Sequence, residues 1–191
     1  MTDPIALAGA WLEAAREAGV SQPEAMAIAS ADERGRPSVR MVLMRGLDAE
    51  GFRFYTNRES RKAAELDANP HGALVFHWDA LGRQLRAEGP VRRLGDGESD
   101  AYFSGRPRES QLGAWASEQS RPLGSRQELL DRFAETERRF EGGPVERPPF
   151  WGGYLLVPEA IEFWEHGEHR LHHRRRFVRD GELWREELLA P

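Results

Sequence analysis

The run from Phe54 to Lys62 ends a strand-like stretch and opens a helix near Ser60. Arg61 and Lys62 then fall in its first turn, beside backbone N–H groups with no partner inside the helix. Cations there oppose the helix dipole, a local cost that a bound phosphate would offset. A solvated turn with both charges pointing outward is the alternative. The run from Gly105 to Ser110 surrounds a second helix start, with Pro107 suited to the first helical position. Tyr102 lies one helical turn before Arg106. A guanidinium fork, a hydroxyl and a phenol together suit a phosphate. The same arginines also suit a junction paired with Glu109 or Glu118.

Four histidines, His166, His169, His172 and His173, lie among Arg170, Arg174, Arg175 and Arg176. A metal site is disfavoured, because the spacing of H-E-x-x-H is absent and the arginines would repel a cation. An RNA-binding tail lacks an aromatic platform or a glycine-rich module, and a plain charged hairpin fits the run equally well. Arg40 and Arg45 stand at the two ends of an apolar strand segment. Arginine is costly there unless it is paired or meets an anion. Gln84, within another strand, can donate and accept at once but says nothing alone.

The elements that must position these residues follow from periodicity. Asp3 caps and Pro4 begins a helix whose apolar stripe is Ile5, Ala8, Trp11, Leu12 and Ala15, ended by Gly19. Residues 25–95 read as short strands joined by tight turns, with a short helix after Ser60. The spacing is too close for parallel crossovers, so an antiparallel barrel is expected. Residues 96–142 read as helical, and Ser125 with Glu128 predicts a capping box on the last of these helices. Leu129, Phe133, Thr136 and Phe140 form its stripe. Residues 150–191 return to strands, with Asp180-Gly181 as a two-residue hairpin turn. Strands on both sides of the helical middle predict one sheet and one domain.

With 191 residues, 39% of them apolar, the chain is long enough for a substantial core. The net charge of −5 disfavours non-specific nucleic-acid binding, so an anionic ligand must be held by local cations. No cysteine is present, which excludes disulfides, zinc thiolates and thiol catalysis. No leader pattern opens the chain, and no apolar run approaches the ~18 residues of a membrane span. A soluble, cytoplasmic protein is expected.

In order, Arg40 to Arg45, Tyr55 to Lys62, Tyr102 with Arg106 to Trp115, Gln119-Ser120, Phe150 to Tyr154 and Ile161 to Arg174 run through the sequence. This series resembles the pyridoxamine 5′-phosphate oxidase family along nearly the whole chain, most specifically between Ile161 and Arg174. The resemblance implies an α+β, mainly antiparallel fold: an FMN-binding split β-barrel with surrounding helices. It implies a homodimer with FMN in clefts between the subunits. Arg40, Val42, Tyr55, Thr56, Arg61, Lys62, Gln84, Gln119, Ser120, Trp164 and Arg174 are the implied FMN contacts. Arg45, Tyr102, Arg106 and Ser110 are the implied cradle for the substrate phosphate, and Arg170 and His172 the catalytic pair beside the pyridine ring. The implied reaction oxidises pyridoxamine or pyridoxine 5′-phosphate to the aldehyde, with hydride passing to the flavin and O2 giving H2O2. Two departures stand out. Arg45 occupies a position where the family commonly has Lys, and His173 one that is usually acidic or Asn. Competing readings are a phenazine-type oxidase on the same scaffold and a non-enzymatic pyridoxal phosphate binder. Steady peroxide production separates the binder from an oxidase.

Overall fold

The computed structural model describes residues 2–191. The first helix, α1 (Pro4–Glu17), starts where the Asp3 carboxylate accepts a hydrogen bond from the Ile5 amide at 2.9 Å. Its stripe of Ile5, Ala8, Trp11, Leu12 and Ala15 is buried, and Trp11 meets Phe163 edge-on at 4.9 Å. Gly19 follows at φ 76°, as the helix terminator expected there.

Five strands and one helix come next: β1 (Ala25–Ala31), β2 (Pro37–Asp48), β3 (Gly51–Asn57), α2 (Arg61–Ala68), β4 (His71–Trp78) and β5 (Arg83–Arg93). Three helices, α3 (Asp96–Ser104), α4 (Arg108–Ala116) and α5 (Arg126–Arg139), precede the last strands. These are β6 (Trp151–Leu156), β7 (Ala160–Glu165), β8 (His173–Asp180) and β9 (Leu183–Leu188). All pairings are antiparallel. The sheet runs β4-β1-β2-β3-β6-β5-β7-β8-β9, and the extra β4–β5 pairing closes β1 to β6 into a barrel.

The split arises in β5. Its first half, Arg83 to Glu88, pairs with β7, whereas Val91 to Arg93 pair with β6. Gly89 sits at the changeover, where a Cβ would come within 2.2 Å of the Val157 carbonyl oxygen. Only glycine lets the two backbones approach this closely. The strands β7, β8 and β9 therefore leave the barrel as an extension that carries the residues from Trp164 onward.

Phe52, Phe54, Phe76, Leu85, Ile161 and Phe163 fill the interior. Burying each contributes about 1.5–3 kcal/mol, against at most about 1 kcal/mol for an exposed ion pair. The barrel interior, rather than ion pairs such as Arg175–Glu186 on the outer strands, therefore dominates stability.

Several local expectations shift. Pro107 takes the cap position before α4 rather than the first helical one, and α3 ends at Ser104, so Tyr102 and Arg106 do not share a helix. Arg40 and Arg45 lie inside β2 rather than at its ends. Ser125 accepts from the Glu128 amide, but the Glu128 carboxylate returns to the amide of Gly124 at 3.0 Å, one residue outside the expected box. Asp180 pairs with Leu183, so the two-residue loop is Gly181-Glu182, one position later than expected. Among the described residues no helix is long and apolar enough to cross a membrane.

Candidate active site

A cavity of about 980 Å³ opens between β2, the end of β3, the start of α2, the α3–α4 junction and the loop at Ser117–Ser120. Eleven expected contacts line it: Arg40, Val42, Arg45, Tyr55, Thr56, Lys62, Tyr102, Arg106, Ser110, Gln119 and Ser120. They come from five stretches of chain, and only the closed barrel brings them together.

At one end stands Lys62, only 6% exposed. Its ammonium donates to Thr56 Oγ1 at 3.0 Å, Gln119 Oε1 at 2.9 Å and Ser60 Oγ at 3.3 Å. All three partners are neutral. Burial, reinforced by the Arg40 charge, lowers its pKa to about 8, with Glu65 pulling weakly the other way. Sequence reasoning left Glu65 out. It lies one helical turn beyond Arg61, buried beneath α2, and takes the two neighbouring guanidinium groups: Arg61 Nε at 2.8 Å and Arg40 Nη2 at 3.1 Å. Ser30 Oγ donates to it at 2.6 Å, and Ser38 Oγ also donates. Burial alone would raise the Glu65 pKa, but these four donors outweigh it and hold the carboxyl at about 2. The cost of Arg40 inside a strand is thus met by a carboxylate 25 residues away in sequence. Arg61 itself is exposed at the helix start and is absent from the cavity wall.

At the other end stands Arg106. Its Nη1 is buried without a hydrogen-bond partner, and no ion pair involves it among the described residues. Neither Glu109 nor Glu118 reaches it. The guanidinium instead lies 4.7 Å from the Trp151 ring centroid and 5.5 Å from that of Phe103. Burial lowers its pKa, and the nearby charge of Arg45 pushes the same way. Tyr102 stacks on Tyr55 with centroids 3.9 Å apart.

Five other expected residues stay outside this cavity. Gln84, Trp164 and Arg174 form one cross-strand row over β5, β7 and β8. The Trp164 and His172 rings lie 4.6 Å apart. Arg170 is exposed in the tight turn after β7, where His169 and Arg170 hold φ of 55° and 65°. Two consecutive non-glycine residues in the left-handed region are strained, a condition that clusters at ligand sites. Arg174 donates to Glu162 Oε1 at 2.7 Å. Gln84 and Arg174 line a separate cavity of about 460 Å³. The expected residues thus fall into two separate clusters.

A family model described as pyridoxamine 5′-phosphate oxidase matches residues 12–140, well over half of the chain. The chain belongs to the pyridoxamine 5′-phosphate oxidase family. A second model, described as the pyridoxine 5′-phosphate oxidase C-terminal dimerisation region, matches residues 151–191, the segment that holds Trp164, Arg170, His172 and Arg174. Among curated relatives, a pyridoxine/pyridoxamine 5′-phosphate oxidase of Rubrobacter xylanophilus is 56% identical over 99% of this chain and 87% of its own length. One of Anaeromyxobacter dehalogenans is 57% identical over 99% of this chain and 96% of its own. Among solved structures, PhzG from Burkholderia lata, in complex with tetrahydrophenazine-1-carboxylic acid, superposes with a TM-score of 0.94 at 34% identity, covering 100% of this chain and 94% of that one. An FMN-binding pyridoxamine 5′-phosphate oxidase-related protein of Nostoc punctiforme shares the fold at a TM-score of 0.80 and 17% identity, over 100% of both chains. The split barrel is therefore the family's fold as well as this chain's.

Proposed function

We propose that this chain is an FMN-dependent oxidase that converts pyridoxamine 5′-phosphate and pyridoxine 5′-phosphate to pyridoxal 5′-phosphate, with O2 as acceptor and H2O2 as by-product. One observation carries the reading. A single cavity holds two cations withdrawn from solvent, Lys62 and Arg106, that no carboxylate directly bonds, with the exposed Arg45 beside Arg106. A buried cation without an anion is costly, and two such cations suit two phosphates, one on the cofactor and one on the substrate. A phenazine-type substrate offers no phosphate for Arg45, Tyr102, Arg106 and Ser110 to hold, which favours this substrate class over a tricyclic one.

The donor set at α2 suits the FMN phosphate. Lys62, the free N–H groups of the helix start and the paired guanidinium groups of Arg40 and Arg61 converge there. Val42, Tyr55, Thr56, Gln119 and Ser120 are the further FMN contacts on this half-site. Arg45, Tyr102, Arg106 and Ser110 grip the substrate phosphate. Gln84, Trp164 and Arg174 of a second copy complete the FMN cleft, and Arg170 and His172 of that copy face the pyridine ring. The whole chain acts as one domain in a cytoplasmic homodimer. When bound, FMN would supply the acceptor for hydride from the substrate carbon that bears the amine or alcohol, and the route for the electrons to O2. The protein's own part is alignment: the phosphate grip and the Arg170 side chain hold the donor carbon in place and keep water out. Arg170 also balances negative charge on the ring oxygen.

The visible spectrum of the purified protein tests this. Oxidised flavin that bleaches anaerobically on addition of pyridoxamine 5′-phosphate, with peroxide formed on readmitting air, is expected. The extracted cofactor should run as FMN. A colourless protein, extracted FAD, or bleaching by a phosphate-free tricycle alone would each refute the assignment.

A further inference from the structure

We infer that Trp151 is a positioning residue for the substrate phosphate: its indole face holds the Arg106 guanidinium in place without neutralising it. The inference rests on the reading that Arg106 meets a phosphate.

Most buried or half-buried arginines of this chain are held by carboxylates. Glu65 holds Arg40, Asp96 and Asp100 hold Arg147, and Glu162 holds Arg174. Arg106 is different. Its guanidinium lies over the Trp151 ring at 4.7 Å, with one nitrogen buried and without a partner. A carboxylate in that place would fix the side chain equally well but would compete with a phosphate for the same N–H groups. An aromatic face attracts the cation through its quadrupole and leaves the donor edges free. The positive charge therefore stays available at the cavity wall.

Trp151 is itself immobile. It opens β6, is 6% exposed, and stands in a stack with Tyr55 at 5.5 Å and Tyr102 at 6.1 Å. Its carbonyl accepts from Arg147 Nη1 at 2.6 Å. Two residues on, Gly153 leaves room for the stack, since a Cβ there would come within 2.7 Å of the Tyr55 ring. One indole thus braces two members of the phosphate cradle, Arg106 by its face and Tyr102 by stacking. Trp151 belonged to a recognised sequence motif, but no ligand contact was expected of it, because a residue that acts through another leaves no donor or acceptor pattern.

The test compares the FMN-loaded enzyme with Trp151→Met, which fills similar space without an aromatic face, and Trp151→Phe, which keeps one. Dissociation constants for pyridoxal 5′-phosphate and for pyridoxal are read from perturbation of the flavin spectrum. In Trp151→Met the preference for the phosphorylated ligand should fall about tenfold, while the affinity for pyridoxal holds and KM rises more than kcat falls. Trp151→Phe should keep the preference within about threefold. A merely structural role would weaken both ligands alike. A Met variant with the wild-type preference overturns the inference, as does a Phe variant that loses as much as Met. Should Trp151→Met fail to fold, Arg106→Ala is made in the wild-type and Trp151→Phe backgrounds. A smaller cost in the Phe background is expected, and an equal cost in both overturns the proposal. A wild-type enzyme that binds pyridoxal as tightly as its phosphate would instead refute the phosphate role of Arg106 itself.

Discussion

Lys62 is a buried cation and Arg106 a half-buried one, and they respond to pH differently because only lysine can shed its proton in the accessible range. Below about pH 8 Lys62 is charged in the folded and the unfolded chain. Between about 8 and its ordinary 10.5 only the unfolded chain holds that proton, so the apoprotein gains stability as pH rises through this window. Anion binding runs the opposite way, because the neutral amine no longer attracts phosphate. FMN affinity should therefore fall over the window in which the apoprotein stabilises. Titration of flavin fluorescence and thermal melts from pH 7 to 10 should show both trends, and Lys62→Met should flatten each. The two substrate clusters divide their labour differently. Arg106→Ala should mainly raise KM, since the phosphate is remote from the reacting carbon. Arg170→Ala should also lower kcat, with a loss of about 2–4 kcal/mol in kcat/KM for either variant. Anaerobic single-turnover bleaching separates the two effects, and an unchanged rate at saturating substrate in Arg170→Ala would remove its ring-side role.

At the scale of elements, one buried carboxylate fastens α2 to β1 and β2. Glu65 receives Ser30 of β1, Ser38 and Arg40 of β2 and Arg61 of its own helix. Its pKa is about 2 in the fold against an ordinary 4.5, so its contribution is complete above pH 4.5 and is lost as pH falls through about 2. That difference corresponds to on the order of 3 kcal/mol. Glu65→Gln should lower urea stability at pH 7 by a similar amount and flatten the acid limb of the stability curve. Because Glu65 also aims Arg40 and Arg61, the variant should weaken FMN binding even though it removes a negative charge. Tighter binding would mean that the carboxylate acts only as a counter-charge.

At the scale of the molecule, the expected site residues of one chain fall into two separate clusters. Arg106 and Lys62 line the larger cavity, whereas Gln84 and Arg174 line the smaller one, built on β5, β7 and β8. In the proposed dimer, a second copy supplies what each lacks. Val39 and Met41, on the exposed face of β2, are 68% and 64% exposed, as expected of apolar side chains that await a partner. The holoprotein should sediment as a dimer, and dilution below the dimer's dissociation constant should release FMN. A monomer that keeps one FMN per chain would refute the shared site.

The sequence by itself determined the elements, their antiparallel character and the family. Alternating strands such as Ala25–Ala31, the cap at Asp3 and the ordered motifs between Arg40 and Arg174 are all local patterns, and local patterns survive in one dimension. Pro107 and the Asp180–Gly181 turn were each misplaced by one position, because a motif marks a bend without fixing which residue carries it. Tertiary structure alone decided who neutralises whom. Arg40 and Arg61 have Glu65, Arg174 has Glu162, and Arg106 has only Trp151 and Phe103. It also decided that the expected FMN and substrate residues of one chain fall into two separate clusters. Charge pairing and cavity lining are long-range contacts, set by how the barrel closes and where β5 passes from β7 to β6.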